Sequence, residues 1–130
     1  KILNNKYELL IQLNFELINY FIKILDISTT TINSSQLSTT KTKTERLVEI
    51  CLQLNATCYI SGIGGKDYLE KSIFEDSNIK LIYENFIHPV YQQVNGDFVK
   101  NMSILDLLMN EGQNSKKIIN ESKNIEKGDF

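Results

Sequence analysis

Apolar residues recur at helical spacing through residues 6–25. Tyr7, Leu10, Leu13, Leu17, Tyr20 and Ile24 form one stripe, widened by Ile11, Ile18, Phe21 and Leu25. The spacing predicts a helix, and a stripe this wide predicts burial on more than one side. Its polar positions are not basic, which favours a core helix over an amphipathic membrane anchor. Residues 28–42 are rich in Ser and Thr. There, 29–32 reads as a short strand before a turn at Ser34-Ser35. A second helix is expected from about residue 44 to 55, with Thr44 as its N-cap and Leu47, Ile50, Cys51 and Leu54 on its buried stripe. Glu45 and Glu49 fall near its positive N-terminal end.

Residues 57–60 are β-branched or aromatic apart from Cys58 and predict a buried strand. That strand runs into Ser61-Gly62-Ile63-Gly64-Gly65-Lys66, the most irregular stretch of the chain. A short helix is expected from about Asp67 to Phe74, and a second strand over 79–83. Residues 86–93 should be extended, because Pro89 disfavours helix at His88. Asn95-Gly96 marks a turn, and Ser103 can cap a helix over 104–109 that stops near Gly112. Alternating helices and strands give an α/β fold, a small parallel or mixed sheet flanked by helices, three-layered or incomplete. Residues 113–130 carry only Ile118, Ile119, Ile125 and Phe130 among polar groups and read as a helical or disordered tail.

The 130 residues fit one compact domain, long enough to bury roughly two thirds of its unfolded surface without a metal or disulfide. Usage is lopsided: 18 Ile, 14 Asn and 13 Lys stand against one Ala, one Arg, one His and no Trp. An AT-rich coding bias accounts for this, so abundant Lys and Asn carry little functional meaning. Arg46, His88 and Pro89 run against the drift and carry more. The net charge of −2 shows no concentrated basic face of the kind nucleic acid requires. Glu8, Glu16 and Lys23 interrupt the first apolar stretch, which excludes a signal peptide and a membrane span there. Cys51 and Cys58, without further Cys or His pairs, make no zinc pattern, and neither a metal nor another cofactor is expected. They suit a reducing cytoplasm.

The glycine stretch has the strand–turn–helix layout that aims backbone N–H groups at a phosphate. Known phosphate signatures fail on it. Ile60 stands where a P-loop begins with Gly, Asp67 replaces the hydroxyl residue after Lys66, and Asp67 also fills the third glycine position of a dinucleotide fingerprint. An anion-friendly loop and a tight turn needing positive φ both remain open. His88 is the only imidazole and the natural general base, unless it is a surface or satisfied core residue. Cys51 and Cys58 read as small buried hydrophobes, with a Cys–His nucleophile pair as the other reading. Asp106 lies among Ile104, Leu105, Leu107 and Leu108, and periodicity favours the solvated face over an inward carboxylate. Arg46 is a helix-start partner of Glu45 or a bidentate anion contact.

The run Glu45-Arg46-Leu47-Val48-Glu49-Ile50-Cys51, followed by Asn55-Ala56-Thr57-Cys58-Tyr59-Ile60-Ser61-Gly62-Ile63-Gly64-Gly65-Lys66-Asp67-Tyr68-Leu69, resembles the WbqC-like protein family. So do His88-Pro89-Val90-Tyr91-Gln92-Gln93 and the block from Asn101 to Gly112, in this order and spacing, and the likeness spans about residues 9–112. The resemblance implies a bacterial, cytoplasmic role in O-antigen or other surface-polysaccharide synthesis. It offers His88 and Asp106 as catalytic candidates, and Ser61, Gly62, Gly64, Gly65, Lys66, Tyr68, Tyr91 and Ser103 as substrate-binding candidates, beside Arg46. The family's N-terminal block, with Gln-Pro and Trp-Gly-Tyr-type residues, has no counterpart here, and the chain starts at Lys1. The expectation is therefore the C-terminal portion of a family unit over residues 1–112, followed by the tail.

Two functions follow as expectations. One is a transferase that moves an acyl or aminoacyl group onto a nucleotide-linked amino sugar, with His88 as base and the glycine loop holding the anion. The other is a non-catalytic binding or assembly module of the same pathway, whose partner is a sugar nucleotide or a pathway enzyme. Uncovered apolar surface left by a missing half would favour a homodimer.

Overall fold

The computed structural model describes residues 2–122. Its helices and single parallel strand pair make a small α/β fold, as expected. In order, these are α1 (Leu10–Ile24), α2 (Lys43–Gln53), β1 (Cys58–Gly62), α3 (Lys71–Asp76), β2 (Lys80–Glu84), α4 (Ile104–Glu111) and α5 (Ser115–Glu121), with short 3-10 turns between some of them. They fall into two compact units. One is built mainly from residues 31–87, the other from the chain up to Thr30 together with His88–Glu121.

In the first of these units β1 and β2 run parallel, joined through α3, in the register Tyr59 to Leu81 and Ser61 to Tyr83. Alternation puts Tyr59 and Ser61 on one face and Ile60, 61% exposed, on the other. The core lies against the first face. Val48 and Cys51 of α2, Leu69, Phe74 of α3 and Ile79 are buried together, and Tyr59, Leu81 and Tyr83 pack on them. The sheet is thus the incomplete parallel form, covered on one side, and β1 is not buried on both faces.

Local expectations fail where distant partners intervene. Residues 29–32 form no strand, since no neighbouring strand is there to pair with them. The N-cap of α2 is Thr42, without a side-chain bond. Thr44 is instead buried one residue into the helix, where its Oγ1 accepts the N–H of Glu70 at 3.2 Å. Val48 replaces Leu54 on the buried stripe, Leu54 being exposed beyond the end of α2. Glu49 accepts the N–H groups of Thr40 and Lys41, tying the incoming chain to the helix, and these bonds hold its carboxyl below the usual range.

In the other unit α1 forms, but begins at Leu10. It buries none of its residues. Leu13, Leu17, Phe21 and Ile22 are half-buried, whereas Leu10, Ile11, Ile18 and Ile24 are exposed, so the wide stripe is covered along one narrow line only. Leu25, just past its end, is buried. The segment after Pro89 is neither helix nor strand. Gly96 takes φ +68° at the Asn95-Gly96 turn, and Gly112 takes φ +53° where α4 stops. Ser115 at the start of α5 is fully buried, its Oγ donating to Gly112 O at 2.7 Å. Lys116 pairs with Asp26 at 2.8 Å. The rest of the expected tail, residues 123–130, lies outside the described residues.

Candidate functional site

The candidate residues divide between the two units. In the α/β unit, β1 ends in a 3-10 turn over Ile63–Asp67, and α3 starts only at Lys71. The glycines of this turn do not take positive φ. Gly65 is needed for another reason: it is buried, and a Cβ there would run into Ser61 Oγ and lie 3.0 Å from Leu69 Cδ1. Close approach of the turn to the end of β1 means that a side chain here would have to displace the Ser61 hydroxyl and press on Leu69. Ser61 Oγ donates to Gly62 O at 3.1 Å, and both Gly62 and Gly64 border open space. Lys66 Nζ stands 5.5 Å from the centre of the Tyr83 ring, a cation–π distance. Tyr68 is exposed. Arg46 is exposed on α2, and its guanidinium forms no ion pair among the described residues. Burial pushes the Cys51 thiol up, and Cys58 is only half-buried. A raised thiol suits a core hydrophobe and not a nucleophile.

The other unit gathers His88, Tyr91 and Asp106. In the segment after Pro89, Tyr91 and Gln93 stand two residues apart and turn to the same side. Both reach Asp106 in the first turn of α4, where the positive helix end favours a negative group. Tyr91 donates its hydroxyl to Asp106 Oδ2 at 2.7 Å, and Gln93 Nε2 donates to the same oxygen at 2.9 Å. Asp106 is therefore a half-buried, oriented carboxylate, not the solvated residue its helix periodicity suggests. The Tyr91 ring is buried. Burial and the Asp106 carboxylate push its phenol above the ordinary 10.0, with the Gln93 amide opposing.

His88 is half-buried, its ring 6.1 Å from that of Tyr91 and 6.2 Å from that of Phe98. The Tyr91 and Phe98 rings meet edge-on at 5.5 Å. Tyr91 is thus the shared element, touching the imidazole with its ring and Asp106 with its hydroxyl. His88 Nδ1 lies 3.0 Å from Pro89 O, and Nε2 lies 3.3 Å from Met102 O. Ser103 caps α4 through its main chain alone. Beside Asp106 opens a cleft of about 240 Å3, lined by Gln93, Val94, Asn95, Val99, Met102, Asp106 and Asn110.

Among the described residues there is no cluster of three or more His, Cys, Asp or Glu side chains suited to a metal. No helix among them is long and apolar enough to cross a membrane.

Residues 1–118 match the WbqC-like protein family. The chain belongs to that family. Over 101 residues this WbqC-like chain is 37% identical to the uncharacterised protein Rv1507c of Mycobacterium tuberculosis. That alignment covers 77% of this chain and 44% of the mycobacterial protein, so the chain spans less than half the length of that relative. No solved structure matches it.

Gln93, Phe98 and Asn110 belong to this WbqC-like cluster although the sequence reading did not single them out. Two signals were present. Tyr91 and Gln93 stand at a separation of two, the spacing that puts side chains on one side of an extended chain, and Asp106 and Asn110 share a helix face at a separation of four. Asn110 fixes both chains, donating to Asp106 O at 2.8 Å and accepting Val94 N–H at 3.0 Å.

Tyr91 carries a pH dependence. Its proton is held more tightly in the folded than in the unfolded chain. The resulting stabilisation is complete below the unfolded value of 10.0 and is lost as the pH rises through the folded value. Urea midpoints should fall as the pH rises past 10.0, and Tyr91→Phe should lessen that fall, to which Tyr59 and Tyr7 also contribute, while costing about 1–2 kcal/mol at neutral pH. Equal slopes in the two proteins would remove Tyr91 as the cause.

Proposed function

We propose that this chain contributes to a cytoplasmic bacterial transferase of O-antigen or other surface-polysaccharide biosynthesis, which moves an acyl or aminoacyl group onto a nucleotide-linked amino sugar. The observation that carries the reading is the Asp106 carboxylate, oriented by Tyr91 and Gln93 at the edge of a cleft, with the His88 ring packed on Tyr91. In the reaction the amine nitrogen attacks the carbonyl carbon of an activated ester or thioester. The bound ammonium first gives one proton to solvent. The new C–N bond then forms, the bond from that carbon to the carrier breaks with its electron pair leaving on the carrier, and the second amine proton passes to His88. Family membership supports the pathway, and the oriented carboxylate supports an acceptor carrying hydrogen-bond donors.

One observation favours the second reading, a binding or assembly module without chemistry. Both His88 nitrogens face main-chain carbonyls, whereas a neutral imidazole has one N–H and can satisfy only one of them. A base needs its lone pair free, so the longer Nε2 contact must open for catalysis.

The deciding experiment incubates the protein with a uridine-diphosphate-linked amino sugar and an acyl thioester, and follows the mass of the sugar nucleotide. A product heavier by one acyl group supports transfer. A thermal shift with the sugar nucleotide but no product supports the binding module, and no shift and no product count against both.

A further inference from the structure

We infer that the cleft beside Asp106 is an ammonium subsite, which holds the free amine of one sugar ring and rejects the same ring once it is acylated. This rests on the transfer reading for the identity of the amine. The recognition chemistry comes from the cleft itself.

Asp106 engages Tyr91 and Gln93 through Oδ2 alone. Its Oδ1 accepts no hydrogen bond among the described residues, and no ion pair among them involves Asp106. No Lys, Arg or His lines the cleft. Two of the neighbouring polar side chains are already committed. Gln93 spends its oxygen on Val99 N–H at 2.8 Å and its nitrogen on Val99 O and Asp106, and Asn110 spends both amide ends on main-chain groups. The exposed Asn95 amide and the carboxylate are left to meet a ligand. Of the two the carboxylate carries the charge, and it asks for a donor, best a cationic one.

The remaining walls, Val94, Val99 and Met102, are apolar and suit the carbon face of a ring. A volume of about 240 Å3 is below the roughly 300–1,000 Å3 of pockets for drug-sized ligands. One ring fits and a whole nucleotide does not. Acylation removes the positive charge and adds bulk at the same nitrogen, so the product loses both the ion pair and the fit. The cleft thereby separates acceptor from product.

The test is an amide-resonance titration of the full 15N-labelled chain with glucosamine, glucose and N-acetylglucosamine, at about pH 6 where such an amine is protonated. Glucosamine should move the amides of Val94, Asn95, Val99 and Asn110 saturably, and the other two sugars should bind at least about tenfold more weakly. Asp106→Asn keeps an oxygen for Tyr91 and Gln93 but removes the charge, and should erase the preference. Val99→Trp, which fills the cleft from an exposed wall, should abolish binding and serves if Asp106→Asn does not fold. Equal binding of the three sugars, no binding, or a preference that survives Asp106→Asn overturns the subsite. An amine preference without transfer product in the mass assay keeps the subsite and removes the transferase. Transfer product without an amine preference does the reverse.

Discussion

Replacing His88 with Ala is expected to lower acyl-transfer turnover by about 10²–10⁴-fold, the usual contribution of a positioned general base. The acceptor KM should change little, because the charge that holds the amine is on Asp106. Alanine also removes a ring packed against Tyr91 and Phe98, so lost activity alone would not separate chemistry from structure. His88→Phe supplies that control. It keeps an aromatic body between the two rings but has no nitrogen to take a proton. Both variants should lose turnover alike, and His88→Phe should keep nearly the parent unfolding midpoint. Turnover retained in either variant would take the base role from His88. The second reading, in which the ring serves only to pack on Tyr91 and Phe98 and to hold the loop near Pro89 O and Met102 O, would then stand.

The legible parts of the fold are those set by local spacing. The short β-branched and aromatic runs at residues 57–60 and 79–83 locate both strands to within about two residues. Gly112 and Asn95-Gly96 stop and turn the chain as their conformational freedom dictates. What local spacing cannot show is the partner from elsewhere in the chain. Thr44 has the composition of a cap, but its hydroxyl serves Glu70 N–H, twenty-six residues on. The glycine turn suggests positive φ, yet the restriction at Gly65 is the side chain of Ser61.

The site follows the same rule. Periodicity in this eight-residue helix turns Asp106 toward solvent, because spacing within the helix carries no sign of the segment that covers its polar positions. Its direction is set by Tyr91 and Gln93, fifteen and thirteen residues upstream. His88 was conspicuous as the lone imidazole, but its contact with Tyr91 and Phe98 depends on the path of the loop after Pro89. Residue rarity therefore singled out His88, and tertiary contacts supplied its neighbours.

The largest stability effect is expected at Phe74, the fully buried aromatic of the α/β unit. Its ring stacks on Tyr59 of β1 at 5.3 Å and sits in the cluster with Val48, Cys51, Leu69 and Ile79. One side chain thus holds α3 against both the sheet and α2. Phe74→Ala leaves the main-chain bonds from Ser77 N–H and Ile79 N–H to Phe74 O available, so the loss is one of packing. Lost transfer energy plus the cavity should cost about 3–5 kcal/mol. Against a typical total of about 5–15 kcal/mol, this unfolds a substantial fraction of a marginal domain. Phe74→Leu refills most of the space without the ring stack and should cost about 1–2 kcal/mol. Urea unfolding measures both variants, with the midpoint falling and the slope unchanged if the folded state keeps its compactness. Amide exchange supplies the location. Protection should fall first at Cys58–Gly62 and Lys80–Glu84, whose ladder depends on α3 covering one face. A cost below about 1 kcal/mol for Phe74→Ala, with strand protection intact, would show that the sheet and α2 are held together without Phe74.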